Sequence, residues 1–163
     1  FQNEMDYNIH MTKNNHGFTL IELLVALAVL GVLFAFAAPN LVFTTQSNRL
    51  SSQYNDMRGD FAFARNTAIN RNVSLTLTSN NGTDWSNGWV ITTPTQTVRV
   101  SDVANNVTIS SAASSITYNA DGTANVTAAT SFKLCDDRAG NFGKLLTVNF
   151  AGRVALTNNV ACP

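Results

Sequence analysis

Glu22 is a carboxylic acid inside an otherwise apolar segment, and this placement makes it the first candidate for a functional residue. Apart from Thr19 and Glu22, residues 18–38 are apolar or small. An ionised carboxylate at the centre of a membrane helix costs about 2.5–3.5 kcal/mol, and less near the helix end. Glu22 therefore needs a cationic partner, which the apolar segment itself does not contain.

Catalytic residue types are scarce in the rest of the chain. Its two histidines, His10 and His16, precede the apolar segment, and its only cysteines are Cys135 and Cys162. These residues form no Cys/His dyad, Ser/His/Asp triad or thiolate–imidazole metal site, and no glycine-rich phosphate loop is present. The acids after residue 40 show no metal-loop spacing: Asp56, Asp60, Asp84, Asp102, Asp121, Asp136 and Asp137. We therefore predict that the protein is not an enzyme and has no cofactor and no metal site.

The composition favours one domain in addition to the apolar segment. The 163 residues carry a formal net charge of zero, and only 12% of them are charged. Overall charge thus gives no signature of nucleic-acid or anionic-lipid binding. Asn, Thr, Ser and Gly dominate the polar positions after residue 72, which suits strands and turns better than helices.

The apolar segment has three interpretations. As a helix it would be roughly 31 Å long, enough to cross a hydrocarbon core. A secretory signal peptide cleaved at "AFA" (35–37) is one possibility, although the apolar run is long and contains Glu22. A plain membrane anchor is the second, and it leaves Glu22 unexplained.

The third interpretation accounts for the whole stretch. "GFTLIELLVALAVLGVL" closely resembles the processing and assembly motif of type IV pilins and type II secretion pseudopilins. The resemblance implies that residues 1–17 are a leader, which a prepilin peptidase removes between Gly17 and Phe18. It also implies methylation of the Phe18 amine, a transmembrane and assembly helix over residues 18–39, and a globular domain over residues 40–163. Glu22 would then pair with the Phe18 amine of a neighbouring subunit, and Pro39 matches a proline that bends the helix.

Beyond Pro39 the pattern predicts a helix followed by strands. Residues at spacings of 4, 3, 4, 3 and 4 form one apolar stripe, which predicts a helix over 40–71 that packs one face on a sheet: Leu50, Tyr54, Met57, Phe61, Ala64 and Ala68. Alternating segments at 73–78, 97–100, 107–110, 116–118 and 131–135 indicate strands, and 144–156 indicates two strands joined at Ala151-Gly152. The expected fold is α+β. A long N-terminal helix, half transmembrane and half docked, precedes an antiparallel β-sandwich over residues 72–163, as in pilins.

Finer features resemble one branch of the pilins. "DMRGDFAFARNTAINRN", "WSNGWVI", "ITYNADG" and a late "GRV" are similar to the GspH/FimT family of minor pilins and pseudopilins. We expect Trp85 and Trp89 to lie in the core rather than to form an exposed binding pair. Because the globular domain would lie outside the cytoplasm, we also predict a disulfide between Cys135 and Cys162.

The resemblance implies a structural function. The main expectation is a minor pilin that helps to assemble or prime a type IV pilus at or near its tip. The alternatives are an H-type pseudopilin of a type II secretion system and a DNA-binding minor pilin for natural transformation. The implied partners are other pilins, the prepilin peptidase and inner-membrane lipid, with the globular domain in the periplasm and later in an extracellular pilus.

DNA binding is expected to be weak. Some DNA-capturing members of this family carry Gly-Arg-x-Arg near the C-terminus, whereas residues 152–155 here read "GRVA", so Arg153 lacks the second arginine. Affinity for phosphates grows with the number of charges neutralised. The chain after Pro39 has nine Lys/Arg and seven Asp/Glu, and Lys133, Arg138 and Lys144 would have to join Arg153 to form a basic face.

Overall fold

The computed structural model describes residues 17–163, except for the side chains of residues 37–40. It contains one long helix followed by eight strands: α1 (Leu20–Arg71), β1 (Leu75–Asn81), β2 (Asp84–Thr92), β3 (Thr97–Ser101), β4 (Val107–Ser111), β5 (Ser115–Tyr118), β6 (Thr130–Asp136), β7 (Gly140–Val148) and β8 (Val154–Cys162). All strand pairings are antiparallel. The chain divides into two compact units, one that ends at Leu41 and one that comprises Val42–Pro163.

The predicted apolar stripe of α1 is confirmed as its core-facing side. All six stripe residues are buried, with exposures of 4% or less: Leu50, Tyr54, Met57, Phe61, Ala64 and Ala68. The spacing places them on one face of the helix, so that burying this face against the sheet removes apolar surface from water.

The helix ends in a Schellman motif. Asn72 adopts a positive φ of 50°, and its N–H donates to the Ile69 carbonyl (3.3 Å), while the Val73 N–H donates to the Ala68 carbonyl (3.1 Å). Asparagine tolerates this left-handed conformation better than most residues, and the motif satisfies carbonyls that the helix end leaves without partners. Val73 then packs on the core and leads the chain into β1.

The strands form a single hydrogen-bonded sheet in the order β5-β1-β2-β4-β6-β7-β8, and β3 pairs with β2 beside this path. The predicted α+β fold, a long helix followed by antiparallel strands, is confirmed. The sequence did not predict the continuity of the sheet, which depends on one residue pair, Asp84↔Ser110, between β2 and β4. The β1–β2 connection is also tighter than expected, since only Gly82 and Thr83 separate the two strands.

Aromatic side chains fill the centre of the core. The Phe61 ring on α1 lies 6.4 Å from Tyr118 on β5 and 5.1 Å from Phe132 on β6. Trp85 and Trp89 are both fully buried, as predicted, and Trp85 lies 4.9 Å from Phe132. Phe61 thus contacts strands on both sides of the β2–β4 pairing, so that α1 and the whole sheet share a single core.

Candidate functional site

Glu22 lies in the first turn of α1, where Thr19 caps the helix. The Glu22 N–H donates to Thr19 Oγ1 (3.2 Å), and the Leu23 N–H donates to the Thr19 carbonyl (3.2 Å). Thr-x-x-Glu at these positions is the sequence of a capping box, and a carboxylate near a helix N-terminus is stabilised by the helix dipole. The sequence analysis missed this local role of Glu22. The role favours the helix but supplies no discrete cationic partner.

Gly17 and Phe18 precede α1, and both are exposed; the Phe18 side chain has an exposure of 85%. A bond outside a helix is more accessible to a peptidase than one inside it. Cleavage between these residues and methylation of Phe18 remain predictions. Residues 1–16 of the predicted leader, with His10 and His16, and the side chain of Pro39 lie outside the described residues.

The N-terminal part of α1 presents apolar side chains to solvent in all directions. Every large apolar residue between Phe18 and Phe36 is at least 47% exposed: Phe18, Leu20, Ile21, Leu23, Leu24, Val25, Leu27, Val29, Leu30, Val32, Leu33, Phe34 and Phe36. A helix that is apolar on every side is normally buried in a membrane or in a protein assembly. Among the described residues no single helix meets length and hydropathy criteria for a membrane span, whereas Leu20–Phe36 and Leu41–Arg71 meet them as a pair.

A disulfide joins Cys135 on β6 to Cys162 at the end of β8, as the sequence predicts. The two Cα atoms lie 5.8 Å apart, and the described residues contain no free cysteine. Cys162 is opposite Gly140 in the β7–β8 pairing, so the bond attaches the last strand to a strand two positions away in the sheet.

Arg138 connects the loop after β6 to the beginning of the second unit. Its guanidinium pairs with Asp136 (2.5 Å), donates to Ser47 Oγ (3.0 Å) and lies 4.7 Å from the ring centroids of both Phe43 and Phe142. The Asp136 side chain is only 1% exposed. Burial alone would raise its pKa, but hydrogen bonds and charge attraction from Arg138 outweigh burial, so the pKa of Asp136 is lowered.

A second buried carboxylate, Asp60, ties α1 to β2 and β3. It accepts hydrogen bonds from Trp89 Nε1 (3.0 Å), Arg99 (2.5 Å) and the Ser101 hydroxyl. The Arg99 guanidinium also lies 4.3 Å above the Phe63 ring. Since both Asp60 oxygens are satisfied, this cluster is structural and links the helix to the sheet.

Arg153 lies at a cleft between α1 and the β7–β8 turn. The cleft has a volume of about 320 Å³ and contains three arginines: Arg58, Arg65 and Arg153. Arg65 donates to the carbonyls of Gly122 (2.9 Å) and Ala151 (3.1 Å), which fixes the turn against the helix. The described residues supply no hydrogen bond or ion pair to the side chains of Arg58 and Arg153, and no acid lines the cleft. We call these three residues and the space between them the arginine cleft.

Lys133, Arg138 and Lys144 do not join Arg153 in the basic face that strong DNA binding would require. Arg138 precedes β7 and Arg153 follows it, so they lie at opposite ends of a nine-residue strand. Each of the other cations has a partner of its own: Lys133 donates to the Ala161 carbonyl, Lys144 to Asn158 Oδ1, and Arg138 pairs with Asp136. The sequence analysis missed Arg58 and Arg65, although their spacing of seven places them on one helix face.

Replacing Gly152 by alanine should destabilise the β7–β8 turn and deform the arginine cleft. Gly152 has a φ of 71°, and a Cβ there would collide with the Gly122 carbonyl and approach Arg65 Nε. We expect a loss of about 1–3 kcal/mol in the free energy of unfolding. Denaturant unfolding of the detergent-solubilised chain measures it. Gly59→Ala is the control, because a Cβ there meets nothing within 4 Å, and equal losses in the two variants would contradict the prediction.

No group of three or more metal-ligating side chains occurs within residues 17–163. The exposed apolar helix and the cleft rich in arginine are suited to protein contacts, whereas the ion pairs of Asp60 and Asp136 stabilise the fold.

Known protein families and solved structures resemble this chain in sequence and in fold. A family model described as "Type II transport protein GspH" matches residues 53–152, and one described as "Prokaryotic N-terminal methylation motif" matches residues 12–38. A crystal structure of the type IV minor pilin FimU from Pseudomonas aeruginosa (strain PAO1) superimposes with a TM-score of 0.64 at 22% identity, covering 74% of this chain and 96% of FimU. A second crystal form of FimU gives a TM-score of 0.61 at 21% identity, covering 70% and 97%. A search of curated proteins found no match.

A methylation motif that includes the apolar beginning of a long helix, whose later part packs on an antiparallel sheet, defines a pilin-like subunit. Because the family model matches more than half of its residues, this chain belongs to the GspH family. Proteins of the pilin class are structural subunits, and membership implies contact with other pilins.

Proposed function

We propose that the mature chain is a minor pilin that takes part in assembling and priming a type IV pilus, at or near the filament tip. The observation that carries this proposal is the apolar surface of α1 between Phe18 and Phe36, which nothing within its own unit buries. So large an apolar surface needs cover in water. Inner-membrane lipid would cover it before assembly, and the helices of neighbouring pilins would cover it in the filament.

The assembly step would use the N-terminal residues directly. Cleavage by a prepilin peptidase between Gly17 and Phe18 creates a cationic amine four residues before Glu22. In the filament, Glu22 of one subunit meets the Phe18 amine of its neighbour, and each charge compensates the desolvation of the other. The globular domain would lie in the periplasm before assembly and outside the cell afterwards.

Glu22→Ala should still be processed but should enter filaments poorly. The variant removes the counter-charge of the Phe18 amine, whereas the core of the second unit contains no residue near position 22. The measurement is the amount of variant in sheared filaments relative to the membrane fraction, with precursor and mature masses determined for both. Gly17→Leu provides the comparison, because it should remain at precursor mass. Normal incorporation of Glu22→Ala would refute the pairing.

Deletion of the gene tests the proposal itself. We expect loss of piliation and twitching with protein secretion unchanged. The alternative is an H-type pseudopilin, which the description of the matching family as a type II transport protein favours. Loss of secretion with normal pili would establish that alternative, and loss of transformation alone would instead indicate a DNA-uptake subunit.

A further inference from the structure

We propose that the arginine cleft is a docking site for an acidic side chain of a neighbouring pilin subunit. The inference rests on the proposed function as a filament subunit. It identifies the kind of side chain, a carboxylate, that a neighbouring subunit would place against one surface of the globular domain. The carrying observation is that Arg58, Arg65 and Arg153 converge on one cleft without any acid among its lining residues.

Contacts within the protein itself hold the residues of the arginine cleft in place. Arg58, Ala62 and Arg65 follow one another at spacings of four and three, so they share one face of α1. Arg65 uses its Nε and one Nη to hold the carbonyls of Gly122 and Ala151, which fixes the β7–β8 turn that carries Arg153. The residues from α1 and from the turn are therefore kept beside each other by hydrogen bonds that do not involve a ligand.

Donor capacity remains available in the cleft. A guanidinium has five N–H donors, and Arg65 uses only two of them, Nε and one Nη, within residues 17–163. The side chains of Arg58 and Arg153 have no hydrogen-bonding partner within residues 17–163, and both residues are exposed. A planar fork of donors matches a carboxylate with two parallel hydrogen bonds, so an aspartate or glutamate fits this chemistry.

The distribution of the other cations favours a carboxylate over a nucleic acid. Duplex DNA presents a row of phosphates, and its affinity grows with the number neutralised. Outside the cleft the second unit has six Lys/Arg, and five of these already have partners: Arg49, Arg99, Lys133, Arg138 and Lys144. Only Arg71, at the end of α1, has none among the described residues. The cleft is thus an isolated basic spot suited to one acidic group.

The test uses the full-length chain in its own host, with two cleft charges reversed. Arg58→Glu/Arg153→Glu should reduce the amount of chain in sheared filaments by at least about fivefold, because like charges would then face the acidic partner. Arg65 is left intact since it holds the turn. Arg58→Lys/Arg153→Lys keeps the charge but loses the planar fork of donors, so its amount in filaments should lie between those of wild type and the charge-reversed variant. Arg71→Glu is the control for charge reversal itself, because it reverses one charge on the same helix outside the cleft, and it should behave as wild type.

Site-specific photocrosslinking identifies the occupant without altering any arginine. A benzoylphenylalanine at the exposed cleft residue Asn66 should crosslink to a peptide of another pilin that contains aspartate or glutamate. The same crosslinker at Asn55, an exposed α1 residue outside the cleft, should not yield this peptide. The crosslink should disappear in Arg58→Glu/Arg153→Glu, while membrane level and the Cys135–Cys162 disulfide are retained as signs of folding.

The outcomes separate the inference from the proposed function. If wild-type chain is in filaments and the charge-reversed variant is too, the docking site is refuted and the filament role stands. A crosslinked segment without acidic residues refutes it as well. If the variant assembles normally but the solubilised full-length chain loses binding to a short DNA duplex, the cleft is a nucleic-acid site instead. If wild-type chain is absent from filaments and gives no crosslink to a pilin, both proposals fail.

Discussion

Replacing Arg138 by alanine should lower the free energy of unfolding by about 3–5 kcal/mol, since removal of one partner leaves a buried charge uncompensated. The Asp136 side chain is 1% exposed and depends on Arg138 for its only ion pair among the described residues. The same substitution removes the cation between the rings of Phe43 and Phe142 and the hydrogen bond to Ser47. Denaturant unfolding of the detergent-solubilised chain, followed by tryptophan fluorescence, measures the loss.

The double variant Asp136→Asn/Arg138→Met is the control for the buried charge. It removes both charges while keeping side chains of similar length, so it should be clearly more stable than Arg138→Ala. If Arg138→Ala costs less than about 1 kcal/mol, the pair behaves like an exposed salt bridge and our description of its burial is wrong.

The Asp136–Arg138 pair should also make the stability of the protein depend on pH in the acid range. Because the pKa of Asp136 is lowered in the folded state, its contribution to stability is present above the unfolded value, about 3.9. That contribution is lost as the pH falls through the lowered folded pKa. The loss of stability below about pH 4 should therefore be smaller in Asp136→Asn/Arg138→Met than in wild type.

Cys135→Ser/Cys162→Ser should cost about 3.5 kcal/mol in the free energy of unfolding. The disulfide closes a loop between residues 27 positions apart, and its removal increases the entropy of the unfolded chain in the chain-entropy model. β8 is the last strand in the sheet order and pairs only with β7, so it should lose the most hydrogen-exchange protection.

Reduction of the wild-type disulfide should reproduce the behaviour of the double serine variant. Agreement between the two would exclude an effect of the serine side chains themselves. Exchange protection in β8 equal to that of the oxidised protein would show that pairing with β7 alone holds the strand, against our expectation.

The elements that the sequence predicts well are those whose signal is local. The stripe from Leu50 to Ala68 repeats at helical spacing, and the 144–156 segment contains the turn and the adjoining ends of β7 and β8. Each pattern lies within a short window, so periodicity alone identifies the element and its buried face.

The buried charges depend on residues far apart in the chain, and the sequence analysis missed them. Asp60 is not one of the apolar stripe residues of α1, yet it is only 5% exposed because Trp89, Arg99 and Ser101 supply its hydrogen bonds. These partners come 29 to 41 residues later. The arginine cleft likewise brings Arg65 to Ala151, 86 residues away, which no local pattern reveals.

The position of Arg138 also has a mechanical consequence for a filament subunit. If the chain is a pilus subunit, as proposed, tension carried along the N-terminal helix would enter the second unit at Val42, the first residue of that unit. Long-range contacts close to this point include those of Phe43 and Ser47 with Arg138 and that of Gln46 with Asp137. Force is thereby passed to the loop beside β6, the strand whose Cys135 is bonded covalently to the end of the chain. The force would then be divided between α1 and the strands that the disulfide links. This would oppose separation of α1 from the sheet, beginning at the N-terminal end of the second unit.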